Sequence, residues 1–332
     1  MTFASIIVPA FNVEKTLAQT LEALQAQTYA AFEIIIVDDG STDGTLQIAE
    51  GFAKDSRIRI VQQANRGLAG ARNTGIHAAR GDVIGFCDAD DIWVPKKLAR
   101  HVAHLEANPK VGVSFSGSAL TDDDGVLTGQ AQRPQLRNIA AANIFKRNPV
   151  GNGSAAVIRR AALDAIAYRP KCEPTRSWYF DETFRQSEDI ECWLRMSLST
   201  DWEFEGITGL LTHYRINAGG LSANTDRQHA AWERMVSKLS PLNPAFFWVN
   251  TPAARAYQLR YLSRRAVSDL DGPRATKLIR AAIAQSRAPL IEEPVKTAVT
   301  FGAALALSVF GPAALKRVMG FAQGLRTSGA QS

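Results

Sequence analysis

Two stretches of this chain lack polar alternation and end in clustered aspartates. Ile34-Ile35-Ile36-Val37 runs into Asp38-Asp39, and Val83-Ile84-Gly85-Phe86-Cys87 runs into Asp88-Ala89-Asp90-Asp91. A strand that apolar belongs inside a parallel sheet, buried on both faces. It delivers its carboxylates to the sheet's carboxyl edge, where open α/β folds bind ligands. If strand geometry continues past Cys87, Asp88 and Asp90 point to the same side. Clustered carboxylates repel and raise one another's pKa unless a cation intervenes. A divalent ion such as Mg²⁺, which takes one or two carboxylates plus substrate phosphates, answers that need. The plainer reading is an acidic turn whose last aspartate caps a helix starting near Pro95.

The first hundred or so residues alternate strand and helix patterns. Strands are expected at Ser5–Ala10, Phe32–Asp38, Ile58–Gln63, Val83–Asp88 and Val111–Ser116. Helices are expected between them at Glu14–Gln27, Gly44–Lys54, Gly67–Ala79 and Pro95–Asn108. Short links argue for right-handed βαβ crossovers and a mostly parallel sheet flanked by helices. Thr121 to Asn152 is less regular. Asn152–Arg159 returns as a strand, Ser187–Ser199 reads as a helix, and Phe204–Ile216 as one or two strands. After about Asp226 the pattern is helical only. The expected organisation is an α/β domain over 1–225, its nucleotide-binding half 1–120 and its acceptor-side half 121–225, followed by a basic helical extension over 226–332.

Among 332 residues, 46% hydrophobic and 21% charged composition suits a globular protein. Cys87, Cys172 and Cys192 are odd in number and lack metal-ligand spacing, so they read as reduced thiols of a cytosolic protein, Cys87 in the core. The chain opens on strand residues with no basic or long apolar leader, so no secretory signal is expected. From Thr251 onward twelve Lys/Arg face four Asp/Glu, a net of +8 within a chain of net +6. A basic tail on a nearly neutral body points to an anionic partner. No nucleic-acid motif and no basic–aromatic interleaving accompanies it.

Three further segments carry chemistry. Val37-Asp38-Asp39-Gly40-Ser41-Thr42-Asp43-Gly44 puts a second acidic pair on the same sheet edge, with Ser41 and Asp43 as turn or cap residues. Asn65 to Gly75 combines glycines, which allow close approach, with Arg72, which can reach an anion or a polar base. Ser187-Glu188-Asp189-Ile190-Glu191-Cys192-Trp193-Leu194-Arg195 opens a helix with acids, as capping and the helix dipole favour. Glu191 and Arg195 have the spacing of an ordinary surface salt bridge. Trp193 and Leu194 turn the helix inward, so a carboxylate near its start can face a cleft and act as a general base.

Together these segments resemble an inverting family 2 glycosyltransferase with the GT-A fold, of the bacterial polysaccharide or lipid-linked glycan type, from about Ser5 to Ser222. The resemblance covers Pro9-Ala10-Phe11-Asn12 at the end of the first strand, Asp38 to Thr45, the Ala71-Arg72-Asn73 segment, Asp88-Ala89-Asp90 and the Glu188-Asp189 pair. It implies a nucleotide site at Pro9, Asp39, Arg72 and Asp88, with Asp39 on the base and Asp88 near the ribose. It implies Mg²⁺ or Mn²⁺ on Asp90 and the donor diphosphate. The general base it implies is Asp189, with Glu188 as second choice. Arg215 and Ser222 match diphosphate contacts, whereas Asn217 stands where the family often has histidine; His213 reads as structural. The implied donor is a nucleotide-sugar, a UDP-sugar by default, and the acceptor a hydroxyl of a glycan or lipid-linked glycan.

Other classes fit less well. A nucleotide-sugar pyrophosphorylase wants a Gly-rich, basic phosphate loop after the first strand, and a dinucleotide dehydrogenase wants Gly-x-Gly-x-x-Gly there. Pro9-Ala10-Phe11-Asn12 offers neither. The alternative function is a non-catalytic nucleotide-sugar-binding partner in polysaccharide assembly, whose mark would be a broken base or metal motif. Finally, Thr297 to Leu315 is uncharged, flanked by Lys296, Lys316 and Arg317, and interrupted by Gly311-Pro312. It predicts a pair of short helices in or against a membrane surface, at the cytoplasmic face of the plasma membrane. The alternative is an Ala-rich helix packed on the body.

Overall fold

The computed structural model describes residues 1–216 and 225–328, with side chains up to 312. The chain forms two compact units, Met1–Ile144 with Asn148–Ala223, and Phe145–Arg147 with Asn224–Ser332.

The first unit is built on a 9-stranded sheet. Its strands are β1 (Ala4–Ala10), β2 (Phe32–Asp38), β3 (Ile58–Gln62), β4 (Val83–Phe86), β5 (Ile92–Trp93), β6 (Val111–Thr121), β7 (Leu127–Gln132), β8 (Ala156–Arg159) and β9 (Glu203–Arg215). Their order is β3-β2-β1-β4-β8-β6-β9-β5, with β7 paired to β6. β1, β2, β3 and β4 are mutually parallel, and β6 and β9 run the same way. β8 lies antiparallel between β4 and β6, and β5 and β7 are antiparallel to their neighbours. The chain leaves β1 towards β2 and β3, then returns to β4 on β1's other side. That reversal is a topological switch point, and its crevice opens at the carboxyl ends of β1 and β4.

Every residue of β1 and of β2 is buried, as strands without alternation require. On one face of the sheet α1 (Leu17–Gln25) buries Leu17, Leu21 and Leu24, each worth about 1.5–3 kcal/mol relative to exposure. α2 (Thr45–Phe52) follows β2, and α3 (Gly67–Ala78) packs on β1 and β2. At Gly75 a Cβ would stand 2.3 Å from Ile7 Cγ2, so glycine sets how closely α3 approaches β1. α4 (Lys97–Ala107), α5 (Ala141–Lys146), α6 (Arg160–Asp164) and α7 (Glu188–Ser199) complete the helices that begin in this half of the chain.

Three local expectations change. β4 ends at Phe86, and Asp91 N–H donates to Asp88 O at 3.0 Å across a turn, so strand alternation does not govern Asp88 and Asp90. That turn does not cap α4 either, because the α4 N-cap is Lys96. The irregular 121–152 stretch contains β7 and α5, and Ile92–Trp93, too short to show a period, closes the far edge of the sheet on β9.

The second unit is helical: α8 (Thr225–Leu239), α9 (Pro244–Ser268), α10 (Gly272–Gln285), α11 (Ala288–Glu292) and α12 (Pro294–Ser328). Asn243 and Asp271 cap α9 and α10 by accepting from Phe246 N–H and Arg274 N–H, with proline in each first turn. Leu259, Ala266, Ala275, Ile279, Ala282 and Ala304 form its core. α12 is broken at Gly311, whose φ of 74° and ψ of 175° are not helical.

Candidate active site

The crevice is assembled from loops that have no regular partners of their own. Pro9 sits in β1 two residues past Ile7, whose carbonyl accepts the Cys87 N–H at 3.0 Å just beyond the end of β4. No strand continues there, so the missing N–H of proline costs no ladder bond. Asn12, at a φ of 52°, then ties this strand end to the loop after β2: its Oδ1 accepts Thr42 N–H at 2.8 Å and its own N–H donates to Ser41 Oγ at 3.1 Å.

Asp39 is buried, and three donors hold its carboxylate: Gln63 Nε2 at 2.6 Å, Arg66 N–H at 2.8 Å and Gly67 N–H at 2.8 Å. The last two are orphan donors at the start of α3, whose own N-cap residue, Arg66, makes no side-chain cap. Asp39 therefore caps a helix from the preceding loop, and its four lone-pair positions keep one in hand.

α3 carries the two side chains that join the strand-end loops to α7. Asn73 makes all four of its amide bonds, donating to Phe180 O and Glu182 Oε1 at 2.8 and 2.9 Å and accepting from Tyr179 and Phe180 N–H at 3.1 and 2.9 Å. It fixes the segment leading to α7. Arg72, only 2% exposed, donates through Nη1 to Glu188 Oε1 and through Nη2 to Asp88 Oδ1, both at 2.9 Å. Its guanidinium lies 5.7 and 5.5 Å from the Phe86 and Phe180 ring centroids, within cation–π range. Burial pulls its pKa down, but Asp88, Glu188 and Asp189 outweigh burial and hold it charged. One cation thus spans the acidic turn after β4 and the acidic start of α7.

The turn is seated on Ser154. Asp88 N–H donates to Ser154 Oγ at 2.8 Å, and Ser154 O accepts Trp93 Nε1 at 3.1 Å and Lys97 Nζ. Gly153 makes room for the guanidinium, because a Cβ would lie 2.1 Å from Arg72 Nη2 and would force the bridge to shift. Lys97 is fully buried, also donates to Thr212 Oγ1 at 2.6 Å, and stands 4.2 Å from the Trp93 ring centroid. Burial brings its pKa down to about 7 against the pull of Cys87 and Asp91. Asp91 is itself fully buried and accepts Arg215 N–H at 3.0 Å. Burial first, then Asp88 and Asp90, push it well above the usual carboxylate range. Arg215 donates to Asp90 O, Asp123 O and Gln19 Oε1, at 3.1, 2.5 and 3.1 Å, so it holds the turn from behind. Ser222 and Asn217 lie outside the described residues.

α7 begins from Ser187 at a φ of 62°. Burial raises Glu188 to about 7 despite Arg72, with Asp189 adding to the rise. Asp189 is half-buried; Asn148 Nδ2 donates to its Oδ2 at 2.9 Å and Ile190 N–H to its Oδ1 at 2.8 Å. Burial also raises its pKa, again against Arg72. Glu191 and Arg195 do pair, at 2.9 Å, but inside the protein and not on its surface. Arg195 spends its other donors on Ile166 O and Tyr179 O, which makes burial tolerable and fixes the inner face of α7.

Among the described residues no three His, Cys, Asp or Glu side chains form a protein-only metal site. A hard cation that keeps substrate phosphates as ligands needs only one or two carboxylates. The Asp88–Asp91 turn offers these, with Asp88, Asp90 and Asp91 close enough that Asp88 and Asp90 add to the upward push of burial on Asp91. The residues fit such an ion.

Comparison with known proteins decides the class. The glycosyl transferase family 2 sequence model matches residues 5–167. A UDP-Glc:alpha-D-GlcNAc-diphosphoundecaprenol beta-1,3-glucosyltransferase, WfaP of Escherichia coli, is 34% identical over 225 residues, 68% of this chain and 81% of that protein. The chain belongs to glycosyltransferase family 2. This glycosyltransferase also shares its fold with solved structures. S. aureus TarS 1-349 in complex with UDP-GlcNAc matches at a TM-score of 0.58 and 18% identity, over 93% of this chain and 92% of that one. The mannosyltransferase PcManGT of Pyrobaculum calidifontis, in complex with GDP-Man and Mn²⁺, matches at 0.54 and 20% identity, over 93% and 87%. The fold is GT-A, and the protein is a transferase enzyme.

Of the residues singled out in the sequence, Arg72, Asp88, Glu188 and Asp189 gather around one guanidinium, while Asp39 and Arg215 each anchor a loop. The sequence pattern singles out none of Ser154, Gly153, Lys97 and Asn148, and it includes Asn73 in a motif without giving it a role. The run of small residues from Gly151 to Ala156 was the available signal for a close approach; Lys97 looks like any helix lysine until the sheet covers it.

Proposed function

We propose that this glycosyltransferase moves a sugar from a nucleotide diphosphate donor, a UDP-sugar, to a hydroxyl of a glycan or lipid-linked acceptor with inversion, in bacterial polysaccharide assembly at the inner face of the plasma membrane. The observation that carries the reading is the Arg72 bridge, which joins the Asp88–Asp91 turn to Glu188 at the start of α7, next to Asp189. The WfaP relative's diphosphoundecaprenol-linked acceptor supports the lipid-linked class, and the UDP-GlcNAc and GDP-Man complexes of the structural neighbours support a nucleotide-sugar donor.

In this reading Asp39 offers its remaining lone pair to an N–H of the base, and Pro9 and Arg72 border the nucleotide. Asp90, with Asp88 beside it, would hold Mg²⁺ or Mn²⁺, which when bound supplies charge neutralisation for the leaving diphosphate. Glu188 is committed to Arg72 and acts as a positioning group. Asp189 takes the acceptor's proton, its carboxylate oriented by Asn148 and the Ile190 N–H, and its upward-shifted pKa makes it a better base than a solvated aspartate. The acceptor oxygen attacks opposite the leaving group through an oxocarbenium-like state, so one displacement inverts the anomeric carbon. Because the base and turn carboxylates are both present and organised, the reading of a non-catalytic binder is disfavoured.

Asp189→Asn is expected to lose on the order of 10²–10⁴ in kcat, with donor KM and thermal melting little changed. NMR of the wild-type product is expected to show the anomeric configuration opposite to the donor's. A near wild-type rate in the variant, or retained configuration, would sink the proposal.

A further inference from the structure

The first half of α12 has two faces of opposite character. Thr297, Thr300, Ala304 and Leu307 are buried within the helical unit, where Thr297 Oγ1 accepts from Arg260 Nη1 at 2.8 Å and Ala304 O accepts from Thr276 Oγ1 at 3.1 Å. The opposite face presents Val295, Val299, Gly302, Leu305 and Val309, spaced by three or four residues, to the outside. Val295, Val299, Val309 and Phe310 are 73, 65, 63 and 71% exposed. From Thr297 to Leu315 no charged residue interrupts this face or its margins. A water-facing helix surface ordinarily carries charge on such positions, and a coiled-coil seam is flanked by charged e and g residues. Neither holds here.

We propose that this face lies in the plane of an anionic lipid bilayer, with the rest of the helical unit kept out of it. The proposal deepens the membrane-face reading given above and rests on it for its biological setting. Pro294–Pro312 is the one stretch among the described residues apolar and long enough to count as a membrane span by composition, with mean hydropathy 1.4. Two observations argue against spanning. Pro294–Phe310 rises roughly 25 Å, short of the roughly 30 Å hydrocarbon core, before Gly311 breaks the helix. Its inner face is also bonded to α9 and α10, whose Arg260, Arg264, Arg265, Lys277 and Arg280 would be dragged into hydrocarbon with it. An in-plane helix needs an apolar face towards the acyl chains and something polar behind it; the helical unit itself is that backing. The net charge of +8 after residue 250, including Lys296 at the start of the helix and Lys316 and Arg317 beyond the break, suits acidic headgroups.

The test uses the full chain with sedimented vesicles of phosphatidylcholine and phosphatidylglycerol at a 7:3 ratio. Wild type is expected to bind, and to be released by alkaline carbonate. Val299→Glu with Val309→Glu is expected to bind at least tenfold more weakly, with unchanged thermal melting and unchanged transfer to a soluble acceptor. Retention through carbonate would overturn the in-plane arrangement in favour of spanning. Equal binding by the double variant, or no vesicle binding together with a dimer that the substitutions dissociate in light scattering, would overturn it as well. Transfer to the soluble acceptor reports on the catalytic proposal separately, so either can fail alone.

Discussion

The two acidic strand ends look alike in sequence and behave differently in the folded protein. After β2, Asp38 and Asp39 are clothed in donors: Asp38 Oδ1 accepts Ser41 N–H at 3.2 Å, and Asp39 accepts three bonds from the Gln63–Gly67 loop. After β4, three carboxylates share one turn: Arg72 donates to Asp88, and Asp91 is pushed upward by burial first and then by its neighbours. The first cluster is met by backbone N–H groups and the Gln63 amide, which tie the loop after β2 to the start of α3 and leave Asp39 one lone pair. The second crowds three carboxylates into one turn, and close carboxylates favour a nearby cation.

Four substitutions test this contrast. Asp90→Asn is expected to lower transfer at least 100-fold. In thermal shift, UDP with Mn²⁺ should stabilise wild type by mass action, and the variant should lose the metal-dependent part. Metal-dependent stabilisation that survives in the variant would erase the distinction between the two clusters. Arg72→Met strips the cation from between Asp88 and Glu188, and the loss of one partner of a buried pair costs about 3–5 kcal/mol in urea unfolding. Without that cation Glu188 and Asp189 hold their protons more tightly, so the rising limb of the pH–rate profile should move to higher pH. An unmoved limb would mean that Arg72 does not tune the pair. Asp39→Asn should behave as a structural change, costing about 1–3 kcal/mol through the bonds lost at the start of α3 and weakening UDP binding, without altering the metal requirement.

The smallest effect concerns Lys97 beneath the turn. Its amine loses its proton near pH 7 when folded, against an ordinary value of 10.5. Between those values the unfolded chain binds the extra proton, so this group makes stability rise with pH across the window and withdraws it as pH falls towards 7. The slope contributed is up to about 1.4 kcal/mol per pH unit. Unfolding midpoints at pH 7 and pH 9 should therefore differ by less in Lys97→Met than in wild type; equal differences would mean that the amine stays charged inside.

Much of the fold could be read directly. The β1, β2 and β4 strands and the α3 and α7 helices follow from unbroken apolar runs and helical spacing, because burial on both faces leaves a strong local signature. Elements held by distant partners left none. β5 is two residues long and exists because Ile92 and Trp93 pair with His213 and Thr212. The Glu191–Arg195 pair has surface spacing but lies inside, since Trp193 and Leu194 draw α7 against the sheet and Ile166 and Tyr179 supply the carbonyls that receive the guanidinium.

By itself the sequence determined which chemistry is on offer: carboxylates at two strand ends, a glycine-bordered arginine, an acidic helix start and an uncharged helical tail in basic surroundings. Residue type and local period are enough for that. Only the tertiary structure decided which donors Asp39 and Asp88 meet, that Arg72 joins the turn to α7, that Asp39 caps a helix it does not belong to, and which face of α12 stays uncovered. Those outcomes depend on distances between residues far apart in the chain, 116 positions in the case of Arg72 and Glu188, and on burial, which sets the energy of a charge and is absent from any local pattern.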